Sequence, residues 1–173
     1  MLIRPATPDD AHGIAVVHVR SWQAAYRGLL PQPVLDDLSV TERAKGWRRL
    51  LEPHRRADGP TSRTIVAEVD GRVLGWASFG DPREDEIADA GELWGIYAHP
   101  DSFGTGVGHA LIAAVEQALQ ADGHPVAYLW VLDGNERAAT FYERHGWIAD
   151  GATKVEERPH LRLFERRRVK RLI

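Results

Sequence analysis

The stretch Tyr97-Ala98-His99-Pro100-Asp101-Ser102-Phe103-Gly104-Thr105-Gly106-Val107-Gly108-His109-Ala110-Leu111 joins a β-rich segment to an amphipathic one. Upstream, Glu92 to Ala98 reads as a strand closed by the turn His99-Pro100-Asp101. Downstream, Leu111, Ile112, Val115 and Leu119 recur at helical spacing within Val107 to Ala121. A strand, a glycine-rich turn and a helix N-terminus make an anion site, because unpaired backbone N–H groups and the helix dipole point at the same place. Glycines also let the chain approach a ligand with no Cβ in the way. Two other phosphate motifs fail on spacing. His109 does not supply the third glycine of the dinucleotide fingerprint, and no Gly-Lys-Ser/Thr follows for a nucleotide P-loop. The loop alone leaves open a turn that merely packs helix on strand.

Working outward, Leu2-Ile3-Arg4 reads as a short strand. Thr7 is the expected N-cap and Pro8 the first residue of a helix running to about Ser21. Pro31 and Pro33 predict a break, and a second helix is expected from about Thr41 to Leu51. From Thr64 the period changes. Thr64–Val69 and Val73–Phe79 flank Asp70-Gly71, a two-residue hairpin turn. Gly95 interrupts its strand, as at a bulge or a close backbone approach. Val126 to Leu132 is a buried-looking strand and Asn135 to His145 a short helix stopped by Gly146. Trp147 to Val155 and Leu161 to Arg166 form a closing strand pair. The order predicts an α+β fold of about seven strands and about four helices.

A chain of 173 residues with 43% hydrophobic residues and no linker-like stretch fits one domain spanning residues 1–173. The absence of cysteine excludes disulfides, thiolate metal sites and an acyl-cysteine intermediate. The first residues lack a basic segment followed by an apolar one, and no window approaches the ~18 apolar residues of a membrane span. We therefore expect a cytoplasmic protein with no membrane partner. A net charge of −3 gives no global reason to expect nucleic acid. The cations Arg166, Arg167, Arg168, Lys170 and Arg171 are the local exception, read as a solvated tail ending a strand. The eight histidines show no His-x-x-x-His or His-Glu-x-x-His spacing, so no metal is expected. A Gly-x-Ser-x-Gly nucleophile elbow is also absent.

Tyr97-Ala98-His99-Pro100 followed by Phe103 to Leu111 resembles the central motif of the GNAT superfamily of acetyltransferases, Gln/Arg-x-x-Gly-x-Gly/Ala. Phe103 departs from the Gln/Arg position, removing a polar side chain but no backbone amide. Asn135-Glu136-Arg137-Ala138-Ala139-Thr140-Phe141-Tyr142-Glu143-Arg144-His145-Gly146-Trp147 is similar to the family segment Asn-x-x-Ala-x-x-Phe-Tyr-x-x-x-Gly-Phe. Ser21 to Pro31 resembles a bacterial subgroup.

The resemblance implies a mixed, mainly antiparallel sheet and acetyl-coenzyme A as co-substrate. It also implies direct transfer, within a ternary complex, to a primary amine of a small molecule or peptide. Such transfer needs a base for the ammonium, an oxyanion partner and a proton for the thiolate. By resemblance, Tyr142 is the acid and Glu92 either a base acting directly or through water, its pKa raised by apolar Leu93, Trp94 and Ile96, or an ordinary acid at a strand start. The backbone of Ile96, Tyr97 and Ala98 pairs with the pantetheine arm. Phe103, Gly104, Thr105, Gly106, Val107, Gly108 and His109 form the pyrophosphate loop, with Asn135 and Ala138 also at the coenzyme. Trp22 and Tyr26 wall the acceptor pocket, while Trp47 on the second helix is core or wall. Asp81, Glu84, Asp85, Glu86, Asp89 and Glu92 either attract a cationic amine or form a solvated loop. A non-catalytic acetyl-coenzyme A-binding module of the same fold is the alternative, and a homodimer is compatible with either.

Overall fold

Seven strands form one sheet in the order β1-β2-β3-β4-β5-β7-β6 in a computed structural model that describes residues 1–52, 61–84, 87, 89–159 and 161–173. They are β1 Leu2–Pro5, β2 Ser62–Val69, β3 Arg72–Gly80, β4 Gly91–Ala98, β5 Val126–Leu132, β6 Ile148–Arg158 and β7 Leu161–Arg171. The described α-helices are α1 Ala11–Ala25, α2 Gln32–Asp36, α3 Val40–Leu51, α4 Val107–Ala121 and α5 Glu136–Arg144. Every neighbouring strand pair is antiparallel except β4 and β5, which are parallel and joined through α4. The α+β class and the mainly antiparallel sheet are as expected.

The structure holds one helix more than expected, because Pro31 and Pro33 begin α2 instead of only breaking the chain. Pro31 caps it and Pro33 lies in its first turn, where a missing N–H removes no helical bond. The expected cap at Thr7 precedes a 3₁₀ turn, Pro8–Asp10, from which α1 continues to Ala25. Asp10 accepts bonds from the Thr7 amide (2.7 Å) and hydroxyl (3.0 Å) and from both terminal nitrogens of Arg4. Asp70 and Gly71 both have positive φ, as a two-residue hairpin loop requires.

The sheet is packed on both faces. On one, Leu111, Ile112, Val115 and Leu119 of α4 are fully buried with Phe79, Leu93 and Leu129. Burial of four such side chains contributes roughly 6–12 kcal/mol before entropic costs, enough to fix where the helix begins. On the other face, Ile14 and Val17 of α1 and Trp47 of α3 pack on Val66 and Trp76. Trp47 is thus core.

The basic run is not a tail. Residues 166–171 continue β7, and Arg166, Arg167, Arg168 and Lys170 reach Asp133, Asp150, Glu143 and Glu116. No described helix is long and apolar enough to cross a membrane. Of the six acids singled out near β4, Asp85 and Glu86 lie outside the described residues.

The sheet is incomplete in one place. β4 pairs with β5 only over Gly91–Leu93, opposite Ala127–Leu129. Past that point β4 pairs only with β3, and β5 only with β7. The separation begins at a bulge, where Ser78 faces Gly95 and Phe79 faces Leu93, leaving Trp94 as the extra residue. The irregularity expected at Gly95 falls one residue earlier, at Trp94.

Two stability predictions follow from the packing. A Cβ on Gly75 would stand 2.7 Å from Val107 Cγ1 and 2.9 Å from Leu111 Cδ1. Gly75→Ala should therefore lower the unfolding free energy by roughly 1–3 kcal/mol in urea titrations. In the other core, Trp47 Nε1 donates to His18 Nδ1 at 3.2 Å, and burial lowers the His18 pKa to about 3 from an ordinary 6.5. An unfolded chain takes up that proton first. Stability from neutral His18 is complete above pH 6.5 and is lost as pH falls toward 3, by up to ~1.4 kcal/mol per unit. Urea midpoints at pH 7 and 5 should differ less for His18→Gln than for the wild type.

Candidate active site

β4 delivers the chain to a turn braced from within. Ser102 Oγ donates to the His99 carbonyl (2.7 Å), and Thr105 Oγ1 donates to the Ser102 carbonyl (2.7 Å). Gly104 and Gly106 have φ of +78° and +92°, which L side chains rarely adopt, so these two glycines are required by conformation. The first helical bond of α4 runs from Ala110 N to Gly106 O (3.0 Å). The amides of Val107, Gly108 and His109 precede it and have no helix acceptor. Phe103 carries a cation of its own, because the Arg137 guanidinium lies 3.5 Å from its ring centroid. His109 Nδ1 lies 2.9 Å from His145 Nε2, and His145 Nδ1 lies 2.8 Å from the Phe141 carbonyl, as an N–H donor would.

A cavity of about 800 Å³ runs from this loop through the gap between β4 and β5 to α1, β6 and β7. It brings together Ile96, Tyr97, Ala98, Phe103, Gly104, Gly106, Gly108, His109, Asn135, Ala138, Tyr142, Trp22 and Tyr26. Asn135 caps α5 by accepting from the Ala138 amide at 3.2 Å. Thr105 and Val107 are not in the lining. The Thr105 side chain is turned onto its own loop, and that of Val107 is buried in the α4 core, so either could serve a ligand only through its backbone.

Tyr142 is buried on α5, and burial raises its phenol pKa well above the ordinary value, so it stays protonated through neutral pH. Among the described residues none hydrogen-bonds its hydroxyl. The hydroxyls of Tyr26 and Tyr97 lie 3.1 Å apart, both also raised by burial.

Glu92 is placed differently from the expectation. Its side chain is 1% exposed and outside the cavity lining. Its carboxylate accepts from the Arg83 amide (2.8 Å), Arg83 Nε (3.1 Å) and Tyr128 OH (3.2 Å). Glu92 therefore cannot meet an amine without breaking those bonds. It holds Arg83, which does line the cavity.

Among the described residues three carboxylates line the cavity, those of Glu136, Glu156 and Glu165, and the most buried of them is Glu165 on β7. Burial raises its pKa, and Lys154, with Nζ 3.8 Å away, opposes the shift. Sequence reading missed it because its attention fell on the arginines beyond. The signal was the alternation Leu161-x-Leu163-x-Glu165, which puts an acid on the same face as two apolar residues. Glu156, Arg158 and Trp130 were missed in the same way and also line the cavity. Among the described residues no group of three metal-ligating side chains occurs.

Residues 22–147 match the model of the acetyltransferase (GNAT) family. Over 143 residues the chain is 30% identical to "Uncharacterized N-acetyltransferase YuaI" of Bacillus subtilis, covering 83% of this chain and 78% of that protein. It is 32% identical over 124 residues to the mycothiol acetyltransferase of Acidimicrobium ferrooxidans, covering 65% of this chain but 39% of that longer protein. Its fold is shared with the PaiA N-acetyltransferase of Thermoplasma acidophilum, solved with coenzyme A, at a TM-score of 0.69 over 98% of each chain and 19% identity. The family match spans the glycine loop, the gap in the sheet and Tyr142, so the chain belongs to the GNAT family as an acetyl-coenzyme A-dependent N-acetyltransferase.

Proposed function

We propose that residues 1–173 act as one catalytic unit that moves an acetyl group directly from acetyl-coenzyme A to a primary amine of a small molecule or peptide, within a ternary complex. The observation that carries this reading is the single cavity joining the loop amides, the gap in the sheet, Tyr142 and Glu165. The absence of cysteine agrees with direct attack.

The residues fit the coenzyme. The amides of Val107, Gly108 and His109, free of helix acceptors, can bind an anion, and Arg137 on Phe103 brings positive charge where the departure at Phe103 removes a polar side chain. The backbone of Ile96 to Ala98, without a β5 partner, can pair with an extended arm as an added strand does. Acetyl-coenzyme A supplies an activated acyl thioester. Glu165 accepts a proton from the incoming ammonium, and its raised pKa makes it a stronger base than an exposed glutamate. Tyr142 supplies a proton to the leaving sulfur, and its raised pKa keeps that proton available. Glu92 acts indirectly, by fixing Arg83 at the cavity wall.

Thiol release measured over a panel of amines tests this. We expect saturable turnover with at least one amine, and Tyr142→Phe should lower kcat about 100-fold while leaving the KM for acetyl-coenzyme A nearly unchanged. Glu165→Gln should remove the acidic limb of the kcat/KM profile, a limb lying above pH 4.5 because burial raises that carboxyl. Coenzyme binding without turnover on any amine would instead mark a non-catalytic module. Arg137→Gln should raise the KM for acetyl-coenzyme A about tenfold with kcat retained.

A further inference from the structure

At the acceptor end of the cavity, two arginines lie beside one aromatic ring. Trp22 of α1 lines the cavity, and two guanidinium groups, Arg43 of α3 and Arg158 of β6, each lie 5.9 Å from its ring centroid. Arg158 lines the cavity and bonds Glu156 through Nε at 2.8 Å, whereas Arg43 is outside the lining and reaches the cavity wall through Trp22. Arg43 is half-buried, and among the described residues no carboxylate pairs with it. Its pKa is lowered, first by burial and then by Arg158, which is what an uncompensated cation beside another cation undergoes. His18, which stacks on Tyr97, feels both arginines and is held neutral. Arg158 has Glu156 as its bonded partner and also acts on Glu165, so the cation left unmatched beside Trp22 among the described residues is Arg43. A half-buried cation without a counter-ion is unfavourable in the free protein, and a ligand anion relieves it.

We propose that Arg158 and Arg43 form an anion subsite beside Trp22, so that the acceptor is a small amine that also carries a carboxylate. The inference rests on the acetyl-transfer reading for the amine end and deepens it. Glu165 draws the ammonium, while the arginines hold the carboxylate at the Trp22 wall. One unmatched cation suits a monoanionic carboxylate better than a phosphate of about −1.5 to −2. The apolar body between them meets Trp22, Trp130 and Leu163.

The test uses matched pairs of α-, β- and γ-amino acids and their carboxamides, with binding followed by calorimetry and turnover by thiol release. In the wild type at least one carboxylate member should bind and turn over about tenfold better than its carboxamide, the size of one charge-assisted hydrogen bond. That ratio should fall toward one in Arg158→Gln and in Arg43→Gln. Arg43→Gln removes a half-buried cation that no described carboxylate pairs, and a Tm equal to that of the wild type separates loss of the subsite from a folding defect. Failure of every carboxylate member to bind tighter than its carboxamide overturns the inference, even where carboxamides release thiol and the transfer reading survives. A carboxylate preference in binding without thiol release from any pair, where another amine does release thiol, overturns the inference that the acceptor carries the carboxylate; no release from any amine overturns the transfer reading instead.

Discussion

The interruption of pairing between β4 and β5 is the constraint on which the rest of the molecule depends. Two parallel strands in register would close the sheet and bury their backbones against each other. Here they pair for three residues, and a bulge at Trp94 turns β4 away. β4 remains held by β3, and β5 by β7, so the gap has rigid walls. Unpaired strand backbone is normally a liability, and a cavity that presents it to an extended ligand turns that liability into a binding surface. The same divergence lets α5 carry Tyr142 to the cavity from one side and α1 carry Tyr26 from the other.

The glycine loop depends on this arrangement at its other end. α4 follows β4 and packs back over β3 and β4, and its apolar side is fully buried. Its N-terminus cannot drift from the end of β4 without exposing that side. An anion site made of backbone amides is only as good as the rigidity of the helix that bears them. Gly75 and Gly108 serve this docking by leaving room, the first beneath Val107 and Leu111 and the second beside Phe141.

Much of this was legible in the sequence because it is written locally. The loop, the α4 periodicity, the Asp70-Gly71 turn and the irregularity beside Gly95 each depend on neighbours within a few residues. The acceptor side was not legible, because its groups come from α1, α3, β5, β6 and β7 and meet only through the register of the sheet. Glu92 illustrates the difference. A carboxylate among apolar residues on the strand before the loop has the expected chemistry, yet Arg83, nine positions earlier, folds back to engage it. Glu165 has an unremarkable local setting and becomes a buried acid only because Lys154 and Leu132 are its cross-strand partners. The arginine run misled for the same reason, since its counter-charges Asp133, Asp150, Glu143 and Glu116 are remote in sequence.

These placements divide the cavity into two electrostatic regimes. Near the loop, Arg137, the first amides of α4 and the dipole of that helix favour a polyanion, and little of this depends on side-chain identity. At the far end, charges of both signs are half-buried among aromatic rings, where each lost partner is felt through a low dielectric. A backbone-built donor site tolerates the change from a polar residue to Phe103. A site built from separate side chains on five elements does not tolerate such changes without altering what it accepts. On the proposed reading, selectivity for the acceptor resides in the half-buried charges around Trp22 and Glu165, and affinity for the donor resides in the loop backbone together with Arg137.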